Sequence, residues 1–241
     1  VKRAADDQPD LIALPEYYAF MGDGSKTLAA SGAWFDEING QTAALAKTLG
    51  IPIHAGSLEE ERDSGTFNTT VIHGADGREL ARYSKIHLFD VDMADGTRYR
   101  ESDLISPGSE VVTYALHGWT IGCAICYDLR FPELFRRLRD LGAELILVPA
   151  AFMRETGRAH WEVLLRARAI ETGTYIAAPA QVFSFNQGQG QCYGHSLICD
   201  PWGTVVANAS DTLGFVDARL DMRLLEDVRS RVPVHRHHVL A

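Results

Sequence analysis

No apolar run in this 241-residue chain approaches the ~20 residues needed to span a bilayer, so a membrane-spanning helix is not expected. Positive charge is short: 23 Lys and Arg stand against 32 Asp and Glu, a formal net charge of -9. Non-specific nucleic-acid binding needs clustered cations to neutralise phosphates. The one compact basic run, Arg136, Arg137 and Arg139, falls on an amphipathic helical pattern and reads as a solvated face. Cysteine is scarce as well. Four in a chain of this size are too few for a disulfide scaffold, which points to reduced thiols and a cytoplasmic protein. The start, Val1-Lys2-Arg3-Ala4-Ala5-Asp6-Asp7, lacks the apolar stretch of a secretory signal.

What is present describes a packed globular protein, with 46% hydrophobic and 23% charged residues. No internal repeat or low-complexity linker breaks the chain, so one domain over residues 1–241 is expected. Residues 1–7 read as the tail of a helix, and an α/β domain would place a strand before them. A further N-terminal segment is therefore expected ahead of Val1.

Short apolar or alternating runs interleave with amphipathic helical patterns, which predicts a mixed α/β fold. Strands are expected at 10–14, 52–58, 66–72, 79–89, 111–116, 119–126, 145–148, 174–182, 196–199, 204–207 and 214–218. The acidic run Glu59-Glu60-Glu61 reads as a loop. Hairpins are expected at 73–77 and at His117-Gly118, and a tight turn at Asp200-Pro201-Trp202-Gly203. Helices are expected at 131–141, with Pro132 in the first turn and Gly142 as the stop, and at 160–172, ending at Gly173.

Cys123 and Cys126 form a C-x-x-C, which by itself suggests a redox pair or half a zinc site. On one strand their odd spacing would aim them at opposite faces. Cys192 and Cys199 lack metal-ligand spacing, so no metal is expected. Cys126 has a nucleophile's position, ending a strand just before a sharp turn into a helix, where backbone amides favour thiolate and can hold an oxyanion. A lone strand-end cysteine is more often a packed apolar residue, so its role depends on partners. Glu16, after a buried strand and Pro15, is a candidate carboxylate against the bland reading of a surface glutamate. Lys85, among Tyr83-Ser84-Lys85-Ile86-His87-Leu88-Phe89, is a candidate cation against that of a lysine whose head reaches solvent.

The contexts of these three residues are together more specific than any one. Leu14-Pro15-Glu16, Ser84-Lys85-Ile86-His87-Leu88-Phe89-Asp90 and Ile125-Cys126-Tyr127-Asp128-Leu129-Arg130-Phe131-Pro132-Glu133-Leu134 resemble the three signature blocks of the nitrilase-like superfamily of carbon-nitrogen hydrolases. The likeness continues through Glu101-Ser102, Ser106-Pro107-Gly108, the segment 160–171, and Tyr193-Gly194-His195-Ser196. It implies an α-β-β-α sandwich, paired into homodimers or higher homo-oligomers. It also implies Glu16 as general base, Cys126 as nucleophile, Lys85 as oxyanion stabiliser and Glu101 as a second glutamate holding the triad. The implied reaction is hydrolysis of a small carboxamide to carboxylate and ammonia through a cysteine thioester, without a cofactor.

Tyr127-Asp128-Leu129-Arg130-Phe131 resembles the Nit branch, whose deaminated-glutathione amidases and ω-amidases act on small anionic amides. The nearer likeness is to the former. Arg158, where many relatives carry proline, and the insertion-like Gly188-Gln189-Gly190-Gln191 depart from the pattern. An anionic substrate calls for a cation, and Arg154 is the candidate clamp, with Tyr18, Tyr127, Phe152 and Gln181 as candidate pocket walls. His235-Arg236-His237-His238 resembles a family tail at the subunit interface rather than a metal site. The alternatives are an N-carbamoyl amino acid amidohydrolase or nitrilase of the same superfamily, an inactive scaffold with this fold, and a thiol-redox or zinc protein. Neither nucleic acid nor membrane is an expected partner.

Overall fold

The computed structural model describes residues 1–21, 24–93, 96–185 and 190–239. After a short helix α1 (Lys2–Ala5), the apolar runs gather into two sheets. The first contains β1 (Ile12–Ala13), β2 (Ile53–His54), β3 (Leu58–Arg62), β4 (Gly65–His73) and β5 (Glu79–Ser84). β1 lies parallel to β2, and β4 runs antiparallel to β2, β3 and β5. Small ribbons are formed by β6 (Asp90–Asp92) with β7 (Arg98–Arg100), and further along by β12 (Ser184–Phe185) with β13 (Gly190–Gln191).

The second sheet contains β8 (Thr113–Leu116), β9 (Trp119–Cys123), β10 (Leu145–Leu147), β11 (Tyr175–Ala178), β14 (Leu197–Cys199) and β15 (Val205–Asn208). Its order is β15-β14-β11-β10-β9-β8, parallel at the centre and antiparallel toward both edges. All three residues of β10 are buried, as a parallel strand covered on both faces requires. The β8–β9 hairpin closes through His117 (φ +50°) and Gly118 (φ +82°), the two positive angles that a turn matched to strand twist needs.

The sheets face each other across one core, in which Ile72 and Tyr83 of the first meet Tyr114, Ile121 and Ile146 of the second. His54 Nδ1 lies 3.2 Å from the Tyr114 hydroxyl there, and burial lowers the His54 pKa to about 3, which keeps the ring neutral. Helix α2 (Gly24–Leu49) covers the first sheet through Phe35 and Ala46. Helices α3 (Pro132–Asp140) and α4 (Arg154–Thr172) cover the second through Phe135, Leu138, Trp161 and Leu165, with α5 (Met222–Arg231) adding Leu225. The layering is thus α-β-β-α, as the family resemblance implied.

Several expectations are corrected. Helix α2 is not expected from the sequence, because Gly24, Gly32 and Gly40 with scattered serines and alanines break up its apolar stripe. The strand expected at 52–58 divides at Gly56. The acidic run joins β3, where Glu59 and Glu60 are buried and Glu60 pairs with Arg62 and Arg82. β5 stops at Ser84 and β9 at Cys123, which leaves Lys85 and Cys126 beyond their strands. The opposite-face argument for Cys123 and Cys126 therefore lacks its shared strand, although both are free, buried thiols. α4 begins at Arg154 rather than at 160, and 214–218 forms no strand. Gly188 and Gln189 lie outside the described residues.

Gly56 takes φ +44°, and a Cβ there would sit 2.0 Å from the Pro15 carbonyl oxygen, just before Glu16. Gly56→Ala should therefore destabilise the chain by about 2–4 kcal/mol in denaturant unfolding and depress activity by displacing Glu16. An unfolding curve matching the parent would show that the approach is not tight.

Candidate active site

The carboxyl ends of five strands converge on one point, the position where open α/β sheets generally bind ligands. Glu16 follows β1, Lys85 follows β5, Cys126 follows β9, Ala151 follows β10 and Gln181 follows β11. Each stands within a few residues of its strand end, so the paired strands fix its position.

Glu16 is 2% exposed, and its carboxylate is held at both oxygens. Oε1 accepts from Lys85 Nζ at 3.0 Å and Asn68 Nδ2 at 2.9 Å, and Oε2 accepts from the Ala151 amide at 2.8 Å. Lys85, also 2% exposed, donates on its other side to Glu101 at 3.0 and 2.8 Å. Glu101 is fixed in turn by the Phe89 amide at 2.6 Å and receives Asn68 and the Tyr17 hydroxyl. Burial opposes charge on Lys85, but Glu101 and Glu16 outweigh it and hold its pKa well above the ordinary 10.5. The lysine is a buried ammonium.

Cys126 is buried against this ion cluster and opens a 3₁₀ turn, Cys126–Arg130, with φ +46°. A non-glycine residue in that region carries strain of roughly 1–3 kcal/mol. Its amide donates to Pro149 O at 2.8 Å, pinning the turn to the end of β10. Burial first, then the negative charge of Glu16, pushes the thiol well above its ordinary 9.0, with Lys85 pulling the other way. Among charged groups Glu16 weighs most on the thiol, and it favours the protonated sulfur.

Two residues that are not candidates from the sequence, Asp128 and Asn68, also belong to the site. Asp128 is fully buried and accepts from Ile125 N at 2.8 Å, Tyr83 Oη at 2.7 Å, and both His87 N (3.0 Å) and Nδ1 (2.7 Å). It thereby ties the cysteine's turn to the segment that carries Lys85. The signal for it lay inside the third motif. Asn68 gave a weaker signal, an amide at a fully buried position of β4.

The other candidates divide. Tyr127 meets Phe89 and Phe131 edge-on, with Arg130 over its ring and over Phe152, so an aromatic rim borders the cluster. Phe152 is next to Ala151. Arg154, the first residue of α4, lines a surface cleft and donates to Gln191. Gln181 uses its amide to hold the carbonyls of Glu16 and Tyr17, at 3.0 and 3.1 Å, which supports the base rather than facing a ligand. Tyr18 is placed elsewhere: its hydroxyl bonds Thr42 of α2 at 2.8 Å, on the outer face of the first sheet. An aromatic after a motif glutamate looks the same in sequence whichever way it turns. Among the described residues no group of three or more His, Cys, Asp or Glu is arranged to hold a metal.

Known proteins resemble this chain along nearly its whole length. The model of the carbon-nitrogen hydrolase family matches residues 1–230. The chain is 37% identical to a deaminated glutathione amidase of Synechocystis sp. over 95% of its own length and 86% of that protein. It is 35% identical to an omega-amidase of Xenopus laevis over 98% of its length and 85% of that protein. Its fold superimposes on the crystal structure of the C. elegans NitFhit protein with a TM-score of 0.90 at 36% identity, covering 98% of this chain and 58% of that one.

Two outcomes follow from the site's geometry. Asp128→Ala would leave donors from three residues unpaired, those of Ile125 and Tyr83 buried, and should cost about 3–5 kcal/mol in denaturant unfolding; a loss below about 1 kcal/mol would show Asp128 to be dispensable. Because the thiol is held above 9.0, the rate of Cys126 alkylation by iodoacetamide, read by mass spectrometry, should show no inflection below that pH. A clear inflection near neutrality would mean that the resting enzyme stores a thiolate.

Proposed function

This chain belongs to the carbon-nitrogen hydrolase family, and from that premise we propose that it is an amidase acting on a small 2-oxo acid amide, with deaminated glutathione as first choice. One observation carries the reading: a single buried carboxylate, Glu16, receives a buried ammonium and lies against a protonated thiol.

In the proposed reaction Cys126 Sγ attacks the amide carbon as Glu16 takes the thiol proton. The carbonyl oxygen becomes an oxyanion, met by Lys85 Nζ and the Tyr127 amide, an early amide of the 3₁₀ turn with no partner to find within it. The carbon–nitrogen bond then breaks, and Glu16 returns the proton to the departing amine. Water, deprotonated by Glu16, opens the thioester; the carbon–sulfur bond breaks and sulfur recovers its proton. Glu101 keeps Lys85 charged and aimed. No step calls for a cofactor.

The departing nitrogen depends on the substrate. From 2-oxoglutaramate it is ammonia, but from deaminated glutathione it is the amine of cysteinylglycine, so the expectation of ammonia holds only for a primary amide. Both give 2-oxoglutarate. Arg154 supplies a cation for substrate carboxylate, in deaminated glutathione that of the departing dipeptide, with Tyr127 and Phe152 as walls. The same proposal takes residues 1–241 as one domain of a cytoplasmic homo-oligomer whose partner is a small anionic amide and not a nucleic acid or membrane. The charge of -9 and the family match over 1–230 support it, as do Val163 and Ile170, exposed apolar residues on α4. Among the described residues no helix is long and apolar enough to cross a membrane.

The test is 2-oxoglutarate release from deaminated glutathione and from 2-oxoglutaramate, beside an N-carbamoyl amino acid and a nitrile assayed for their own products. Release from one of the first two should vanish in Cys126→Ala and Glu16→Gln. In Lys85→Met it should fall on the order of 10²-fold or more in kcat. Turnover confined to the carbamoyl compound or the nitrile would move the assignment to those branches. A folded protein inert to all four would favour a scaffold.

A further inference from the structure

A cleft of about 300 Å³ beside the first turns of α4 is lined by Arg154, Arg158, Tyr193, His195 and Asp211. Arg154 and Arg158 stand one helical turn apart at the end of α4 that carries positive dipole charge. Among the described residues neither makes an ion pair, and Asp211 leaves the lining with a surplus positive charge.

The wall opposite is built with some strain. His195 has φ +56°, and its backbone is clamped by Ser210 O at 2.6 Å and by Trp161 Nε1 at 2.8 Å, while its ring stacks on Tyr193 at 4.1 Å. Tyr193 comes so close to α4 that a Cβ on Gly157 would lie 2.5 Å from it. Non-glycine residues held in this conformation concentrate where a side chain must be aimed. Here the residue so held carries an imidazole, in a lining that also contains two guanidinium groups.

Backbone links run from the cleft to the catalytic cluster. The Tyr193 amide bonds Phe152 O at 2.8 Å, Met153 bridges to Cys192, and Phe152 follows Ala151, whose amide holds Glu16. Arg154 stands three residue steps beyond Ala151, at most about 10 Å, and an extended dipeptide reaches about 7 Å. A dipeptide leaving from the carbonyl at Cys126 therefore brings its terminal carboxylate within range of the arginines. The acyl half has a nearer cation in Arg130, on the nucleophile's own turn.

We propose that the Arg154–Arg158–His195 cleft is a carboxylate subsite for the amine half of the substrate, selecting amides whose departing group is an acidic, peptide-like amine. This rests on the amidase reading above and sharpens it, because a primary amide such as 2-oxoglutaramate has nothing to place there. Arg158 is exposed on a helix and, among the described residues, makes no hydrogen bond or ion pair with the catalytic cluster, so its replacement leaves the fold and the chemistry in place.

The experiment compares three amides of one acyl group: 2-oxoglutaryl-cysteinylglycine, the same compound with its terminal carboxylate capped as an amide, and 2-oxoglutaramate. For Arg158→Gln, KM should rise on the order of tenfold for the free acid alone, with kcat unchanged and the other two substrates unaffected. An unchanged KM for the free acid, or an equal rise for the capped compound, overturns the subsite while leaving the amidase intact. A parent enzyme that releases 2-oxoglutarate from none of the three overturns the functional reading itself, and the subsite with it.

Discussion

The ammonium of Lys85, sealed between the carboxylates of Glu16 and Glu101, is the interaction on which the site depends. Two carboxylates this near would repel, and an isolated cation would be expelled from so dry a place. Together they form a charged row that lends each member to the reaction only through its neighbours. Removing one partner of such a buried pair generally costs about 3–5 kcal/mol, because the charge left behind has nowhere to go. The scaffold must therefore deliver all three residues at once. It does so by hanging each at the end of a different paired strand, where register leaves little freedom.

Other features serve this delivery. Asp128 joins the cysteine's turn to the lysine's segment, Gln181 fastens the main chain around the base, and Asn68 spans both glutamates. None of these contacts is local in sequence: Gln181 lies 165 residues from Glu16. The two-sheet core brings such distant segments to one edge, and the fold's contribution to chemistry is this convergence.

Much of this was legible in the sequence, for definite reasons. Strands such as β4 and β10 announce themselves by apolar content, and α3 by its proline start and glycine stop, because those signals are local. The residues of the ion cluster stand in motifs whose order of types is specific. What escaped was set by tertiary partners. The glutamates of β3 read as loop because the arginines that pair with Glu60 are revealed only by the sheet. Helix α2 was obscured by glycines that its packing tolerates, and the direction of Tyr18 depends on a helix that was not foreseen.

Holding Cys126 as a buried, protonated thiol bears on how the protein ages. Oxidants convert thiolates to sulfenic and then sulfinic acid, and their attack follows thiolate character and exposure. This sulfur offers neither until a substrate carbonyl arrives and the thiol yields its proton to Glu16. The arrangement that readies it for one electrophile thus withholds it from peroxide, and the protein gains chemical durability without a dedicated shield.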